Sequence, residues 1–385
     1  MNSHTRHNRF ANQLILVSFI AVLCVLGGQS FAQDFRAVHD GIEYAQVRHK
    51  LGEDPVVINL LRLDRSKVKL DVVHAGDSAV GLEKTSAIAH RRGAVAAINS
   101  GFFRLDKSLW AGDANGVLMI DGVILSESFA DRTALFISDV PTTNLAFGRI
   151  RTEISVETGG RKLLVDGINR QRNNDEIILY DARFGTKTLT DPEGIEISVI
   201  DGKIAAITRN NGNSSIAEKG YVLSVSGKRI NEVLTVREGQ ALRGFAVAYL
   251  LSGGDRFLLN HVDDIVAGVP QLIKDGRVDI TWEQEKSSKS FVETRHPRTA
   301  IARLKDGKFL MIAVDGRQPG VSVGMNLNEL AEYLLSLGAT DAMNLDGGGS
   351  TTMFVDGKVV NKPSDKEGER KVSDAILVTL RTRKN

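Results

Sequence analysis

The chain has 385 residues with 49 basic and 47 acidic side chains and a single cysteine. This length is enough for one large domain or two smaller ones. A near-neutral balance gives no electrostatic case for nucleic acid or an anionic membrane surface, and one cysteine excludes a disulfide framework and a zinc–cysteine site.

Arg6 and Arg9 precede an almost unbroken apolar run from Leu14 to Leu26, followed by Ser30-Phe31-Ala32. That is the pattern of a signal peptide over residues 1–32, cut ahead of Gln33. The run is short for a membrane span. An uncleaved anchor is the competing reading, and a lipid anchor at Cys24 ranks lower because Leu23 stands where a small residue is wanted. Removing the leader leaves 47 basic and 47 acidic side chains and no cysteine. Residues 33–385 are then an exported body, free of the membrane.

The first helix is expected from about Thr85 to Arg92, ending at Gly93. A short apolar strand to Asn99 follows, then the loop Ser100-Gly101-Phe102-Phe103. Asp-Gly pairs at 121–122, 201–202, 275–276, 306–307 and 356–357 stand between apolar runs. They predict tight hairpins, because the pair tolerates positive backbone angles. The polar stretch from Thr281 to Thr294 is the best candidate for a mobile loop. His296-Pro297-Arg298-Thr299-Ala300 offers an arginine beside a hydroxyl, and Val314-Asp315-Gly316-Arg317 offers a carboxylate at a strand end with a guanidinium fork. A second helix is predicted from about Asn328 to Leu337, capped by Asn326 with Glu329 three residues on and stopped by Gly338. The fold class is therefore α+β, with largely antiparallel sheets and a few packed helices.

The run Met343-Asn344-Leu345-Asp346-Gly347-Gly348-Gly349-Ser350 is the most specific feature. Three glycines let backbone amides approach an anionic oxygen, and Asp346 at the entrance suits a base, a nucleophile or a metal ligand. An ordinary tight turn competes with this reading. No lysine follows the glycines, so this is not a nucleotide phosphate loop. Each helix-terminating glycine, Gly93 and Gly338, is followed six residues later by an asparagine and a glycine-containing loop. This suggests a diverged internal duplication whose asparagine loops converge on one site, with coincidence as the alternative. Histidines show no metal-ligand spacing, and no serine-triad elbow is present.

Five segments resemble the phosphodiester glycosidase family: Ala97 to Phe103, His296 to Ala300, Val314 to Arg317, Met343 to Met353, and Val360 to Arg370. Weaker matches cover Ile168-Asn169-Arg170 and Leu179-Tyr180-Asp181, and the likeness is strongest from Arg295 onward. Ala267-Gly268-Val269-Pro270 departs from it, lacking the family's longer glycine run. The resemblance implies an exported hydrolase that cleaves the glycosidic C–O bond of a sugar-1-phosphate diester in envelope or extracellular polysaccharide. A phosphate ester leaves readily, so the site needs support for that leaving group and one carboxylate. Asp346 or Asp315 fits the carboxylate role. Arg298, Arg317 and the Gly347-Gly348-Gly349 amides fit phosphate support, and Thr299, Ser350 and Arg370 are further substrate-binding candidates. Asn99 and Asn344 would orient sugar hydroxyls, Phe102 or Phe103 would stack on the ring, and Gly101 is a further substrate-binding candidate. No cofactor is required, although Asp315 and Asp346 holding a divalent cation would instead make a phosphodiesterase. A non-catalytic glycan-binding envelope protein is the reading from a different class.

Overall fold

A computed structural model describes residues 34–381 except Gly253 and Asn260. The expected signal peptide lies outside the described residues. Among the described residues, no helix is long and apolar enough to cross a membrane.

Strands dominate and pair antiparallel almost throughout, with few helices. Four of the five Asp-Gly pairs form the predicted turns, each with positive φ at both residues: 49° and 75° at Asp121-Gly122, 48° and 82° at Asp356-Gly357. Asp306-Gly307 differs. Only Gly307 is left-handed, and the Asp306 carboxylate accepts the Lys308 amide in a longer turn. Helix α1 spans Thr85–Arg91, α2 spans Lys289–Glu293 and α3 spans Leu327–Ser336. In α3, Asn326 Oδ1 accepts the Glu329 amide and Glu329 returns a carboxylate oxygen to the Asn326 amide, both at 2.9 Å. This is the predicted reciprocal cap, and Gly338 ends the helix at φ 87°.

Two sheets position the site. The first runs, strand by strand, Arg36–His39, Ile42–Leu51, Asp54–Leu63, Phe309–Val314, Arg298–Leu304, Ala339–Asn344, Gln271–Lys274, Arg277–Val278. The second runs Lys358–Val359, Met353–Val355, Ala96–Asn99, Asp374–Leu380, Val68–His74. Strand alternation gives each sheet two apolar faces. Leu61, Ile301, Met311 and Met343 of the first meet Leu70, Ile98, Met353 and Ile376 of the second in one core. On the far face of the first sheet, Leu60, Ala302 and Ile312 pack on Leu330, Ala331 and Leu334 of α3. On the far face of the second, Ala97, Phe354 and Leu377 pack on Ile88 and Ala89 of α1. The result is four layers: α3, sheet, sheet, α1. A third sheet and a smaller fourth one, formed mainly by residues 118–267, share a separate core around Phe136, Ile154, Ile197 and Leu223.

The two central sheets share an order. Gln271–Lys274, Ala339–Asn344, Arg298–Leu304 and Phe309–Val314 stand side by side as Met353–Val355, Ala96–Asn99, Asp374–Leu380 and Val68–His74 do. Registers correspond as well. Ala300 lies opposite Asn344 and Ile312, as Ala375 lies opposite Asn99 and Val73.

The segment expected to be mobile, Thr281–Thr294, is instead pinned from inside. Glu285 is fully buried and accepts from Thr133 N, Thr133 Oγ1 and Gln271 N, each at 2.9 Å, and from Thr281 Oγ1. Its polarity is turned inward, where every donor finds the carboxylate.

Candidate active site

The strands Ala96–Asn99 and Ala339–Asn344 end side by side, and their loops are stitched together. Asp346 N donates to Ser100 O at 2.8 Å, and Asn99 Nδ2 donates to Asp346 O at 2.6 Å. Asn99 Oδ1 accepts from Thr299 Oγ1 (2.9 Å) and Thr352 N (3.0 Å). Asn99 and Thr299, expected to face substrate, are thus buried fasteners of the glycine loop. Asn344 Nδ2 donates to Val269 O at 2.7 Å, whereas its Oδ1 has no partner.

Each glycine in the loop admits a different neighbour. A Cβ on Gly347 would stand 2.7 Å from Pro297 O, and one on Gly348 would stand 3.1 Å from the Arg317 guanidinium. One on Gly349 would overlap Arg370 Nη2 and Asp365 Oδ1. The triplet therefore lets a carbonyl, the Arg317 guanidinium and an Arg370–Asp365 pair (Nε to Oδ2, 2.7 Å) converge on one turn. Arg317 is exposed and left-handed (φ 58°), with Nη2 3.4 Å from His296 Nδ1. Burial, Arg298 and Arg317 lower the His296 pKa, which keeps that imidazole neutral.

Asp346 sits half-buried at the loop entrance. Burial of its carboxyl group pushes its pKa up to about 7, and the nearby Asp374 adds to the rise. Ser350, Arg370 and the Gly347 amide pull it back down. A carboxyl poised at neutrality in a site with an exposed guanidinium is suited to proton transfer.

Asp374 is the residue that sequence reasoning missed. It is buried and accepts from Gly101 N (2.6 Å), Ser100 Oγ and Ser373 Oγ (2.5 Å). A Cβ on Gly101 would lie 3.1 Å from both its oxygens, which explains why glycine stands there. The only local signal is a serine–aspartate pair ahead of the apolar strand Ala375–Leu380.

Other expected residues are placed differently. Arg298 is 1% exposed. Its Nε donates to Met325 O (2.9 Å) and its Nη2 to Phe291 O (2.8 Å) and Thr294 O (2.7 Å), so the fork expected for phosphate is occupied by carbonyls around α2. Burial lowers its pKa to about 10, still charged at neutrality. Asp315 is buried, and its Oδ1 accepts from Lys362 N (3.0 Å) and Asn361 Nδ2 (3.2 Å). Burial raises its pKa while Lys362 and Asn361 oppose the rise. Phe102 is half-buried, its ring edge-on to Phe291 at 6.1 Å, and Phe103 pairs through its backbone with Ala114. Around the loop, Asn344 Oδ1, Thr352 Oγ1 and Ser364 Oγ are buried without a hydrogen-bond partner among the described residues. Such atoms each cost about 1–3 kcal/mol, and a cluster of them is a mark of a ligand site.

Residues 194–379 match the family model described as phosphodiester glycosidase. The chain is 30% identical over 162 residues to the N-acetylglucosamine-1-phosphodiester alpha-N-acetylglucosaminidase of Mus musculus, a match covering 39% of this chain and 30% of the mouse protein. It is 25% identical over 236 residues to an uncharacterized protein of Rickettsia conorii, covering 59% of this chain and 77% of that one. Among solved structures, a protein of Burkholderia pseudomallei K96243 predicted to be exported superposes with TM-score 0.73 at 26% identity, covering 84% of this chain and 74% of that chain. Through residues 194–379, the chain is similar to the phosphodiester glycosidase family.

Proposed function

We propose that this protein is an exported hydrolase that cleaves the glycosidic C–O bond of a sugar-1-phosphate diester in envelope or extracellular polysaccharide. The observation that carries the reading is Asp346: a carboxyl with its pKa near 7, on a glycine loop overlain by the exposed Arg317. In this reading Asp346, rather than Asp315, is the key carboxylate, because Asp315 Oδ1 already holds Asn361 and Lys362. Arg317 and the loop amides support the departing phosphate ester, and Arg370 works through its contact with Gly349. Asp374 holds Gly101 and tunes Asp346. The loops that carry Asn99 and Asn344 are two copies of a duplicated unit, a view supported by the common strand order of their sheets.

The test is hydrolysis of a panel of sugar-1-phosphate diesters in oxygen-18 water, with Asp346→Ala as the control. Label in the anomeric oxygen of the released sugar, lost in the control, is the expected result. Label in phosphate together with inhibition by a chelator would instead identify a metal-dependent phosphodiesterase. No turnover across the panel would favour a glycan-binding envelope protein.

A further inference from the structure

The ribbon that returns from the Gly101 loop has a second use. Arg104 N donates to Asp113 O (2.8 Å) and Asn115 N to Phe102 O (2.7 Å), so Asp113–Gly116 runs alongside the loop that reaches Asp374. Ala114, Asn115 and Gly116 line a narrow crevice with Gly101, Phe102 and Asp374, and the same three residues form one wall of a wider cleft of about 470 Å³. The cleft therefore lies on the other side of the ribbon Ala114–Gly116 from Gly101 and Asp374.

The lining of the cleft selects among ligand classes. Arg170 lies in it, but its Nε pairs with Glu127 (2.5 Å) and its Nη1 with Glu176 (2.8 Å), so its charge is already balanced by two carboxylates. An anion finds no surplus positive charge there. Dense polar lining argues equally against an apolar ligand. Asp113 is half-buried, and among the described residues its carboxyl makes no hydrogen bond. Burial and the neighbouring Glu127 raise its pKa to about 7, so at neutrality it both donates and accepts. Phe129, 51% exposed, adds an aromatic face at the rim, and Arg132 lies 4.8 Å from its ring centre. An exposed ring beside side chains that donate and accept is suited to a ring with an apolar CH face and equatorial hydroxyls.

We infer that this cleft is a sugar-binding subsite for a neutral pyranose of the glycan, with Phe129 stacking on the ring and Asp113 and Asn115 bonding its hydroxyls. The inference rests on the proposed glycan substrate and adds that recognition extends at least one sugar beyond the phosphodiester.

The experiment is calorimetric titration of the full chain carrying Asp346→Ala with neutral linear hexasaccharides of glucose, mannose, galactose and N-acetylglucosamine. One sugar series is expected to bind. Phe129→Ala should weaken it at least tenfold, Asn115→Ala several-fold, and Phe129→Trp should retain it, all with unchanged circular dichroism. Absence of binding across the panel, or equal affinity in the Phe129→Ala variant, would overturn the subsite. Because the readout is binding without turnover, it is independent of the diester hydrolysis assay, and either reading can fail while the other stands.

Discussion

Asn99 and Asp346 lie 247 residues apart in sequence, and a single amide-to-carbonyl hydrogen bond of 2.6 Å joins them. That bond fixes where the glycine loop leaves its sheet. Asn99→Ala leaves Thr352 N and Asp346 O without their partner inside the core, and Thr299 Oγ1 with only Thr351 Oγ1. The expected loss of stability is about 2–4 kcal/mol by chemical denaturation, from several buried polar groups left unpaired. Activity should fall as well. A variant of unchanged stability would show that the loop is fixed by other contacts.

The raised pKa of Asp346 fixes the sign of two pH effects. The folded value is about 7 against an ordinary 3.8, so between pH 4 and 7 the folded chain holds a proton that the unfolded chain has released. Stability therefore falls as pH rises through that window, and the deficit is full above it. Asp346→Asn removes the deficit. It should be more stable than the wild type at pH 8 by no more than about 4 kcal/mol, and equal to it near pH 4. Parallel stability curves for the two proteins would contradict the assignment. If Asp346 acts as the base, wild-type kcat/KM should climb to a plateau through pH 7.

Gly349→Ala places a methyl group where Arg370 and Asp365 meet the loop. The pair must move, so the expected outcome is a fall in kcat/KM of tenfold or more with a small change in melting temperature. Gly357→Ala, at a hairpin tip with open space, is the comparison. It should cost about 1–2 kcal/mol for its left-handed backbone and leave kcat unchanged.

Glu285→Gln tests the buried anchor of the 281–294 segment. A carboxylate accepts from all four donors, whereas an amide turns an NH₂ group toward some of them. The expected cost is about 2–3 kcal/mol, read in urea unfolding. A cost below half of that would mean that water or rotation relieves the mismatch.

The elements and residues that announce themselves are those with local rules. Asp-Gly turns, the Asn326–Glu329 cap and the Asp346 glycine loop can each be read within ten residues, because one turn of backbone decides them. Asp374 could not be read that way. Its partners Ser100 and Gly101 lie on the far side of the chain, and nothing near it differs from the start of an ordinary apolar strand. Arg298 was misleading for the converse reason. Its flanking residues suggest an exposed fork, and only α2 and the Met325 carbonyl closing over it make it a buried donor to three carbonyls. The 281–294 stretch reads as solvent-loving until Glu285 is seen facing inward.

The second sheet draws Val68–His74 and Ala96–Asn99 from early in the chain and Met353–Leu380 from late in it. Asp374–Leu380 lies between the two early strands, so until that segment has been made Val68–His74 has no neighbour in this sheet and Ala96–Asn99 has only Met353–Val355. Contacts this distant slow folding, because a long loop must close before any pairing rewards it. The Asp346 and Asp374 carboxyls, which influence each other through space, thus come together only after almost the whole sequence has been made. On the proposed export route, a chain threaded through a translocon before folding would keep its two early strands apart from Asp374–Leu380, and so its glycine loop unassembled, until it was out.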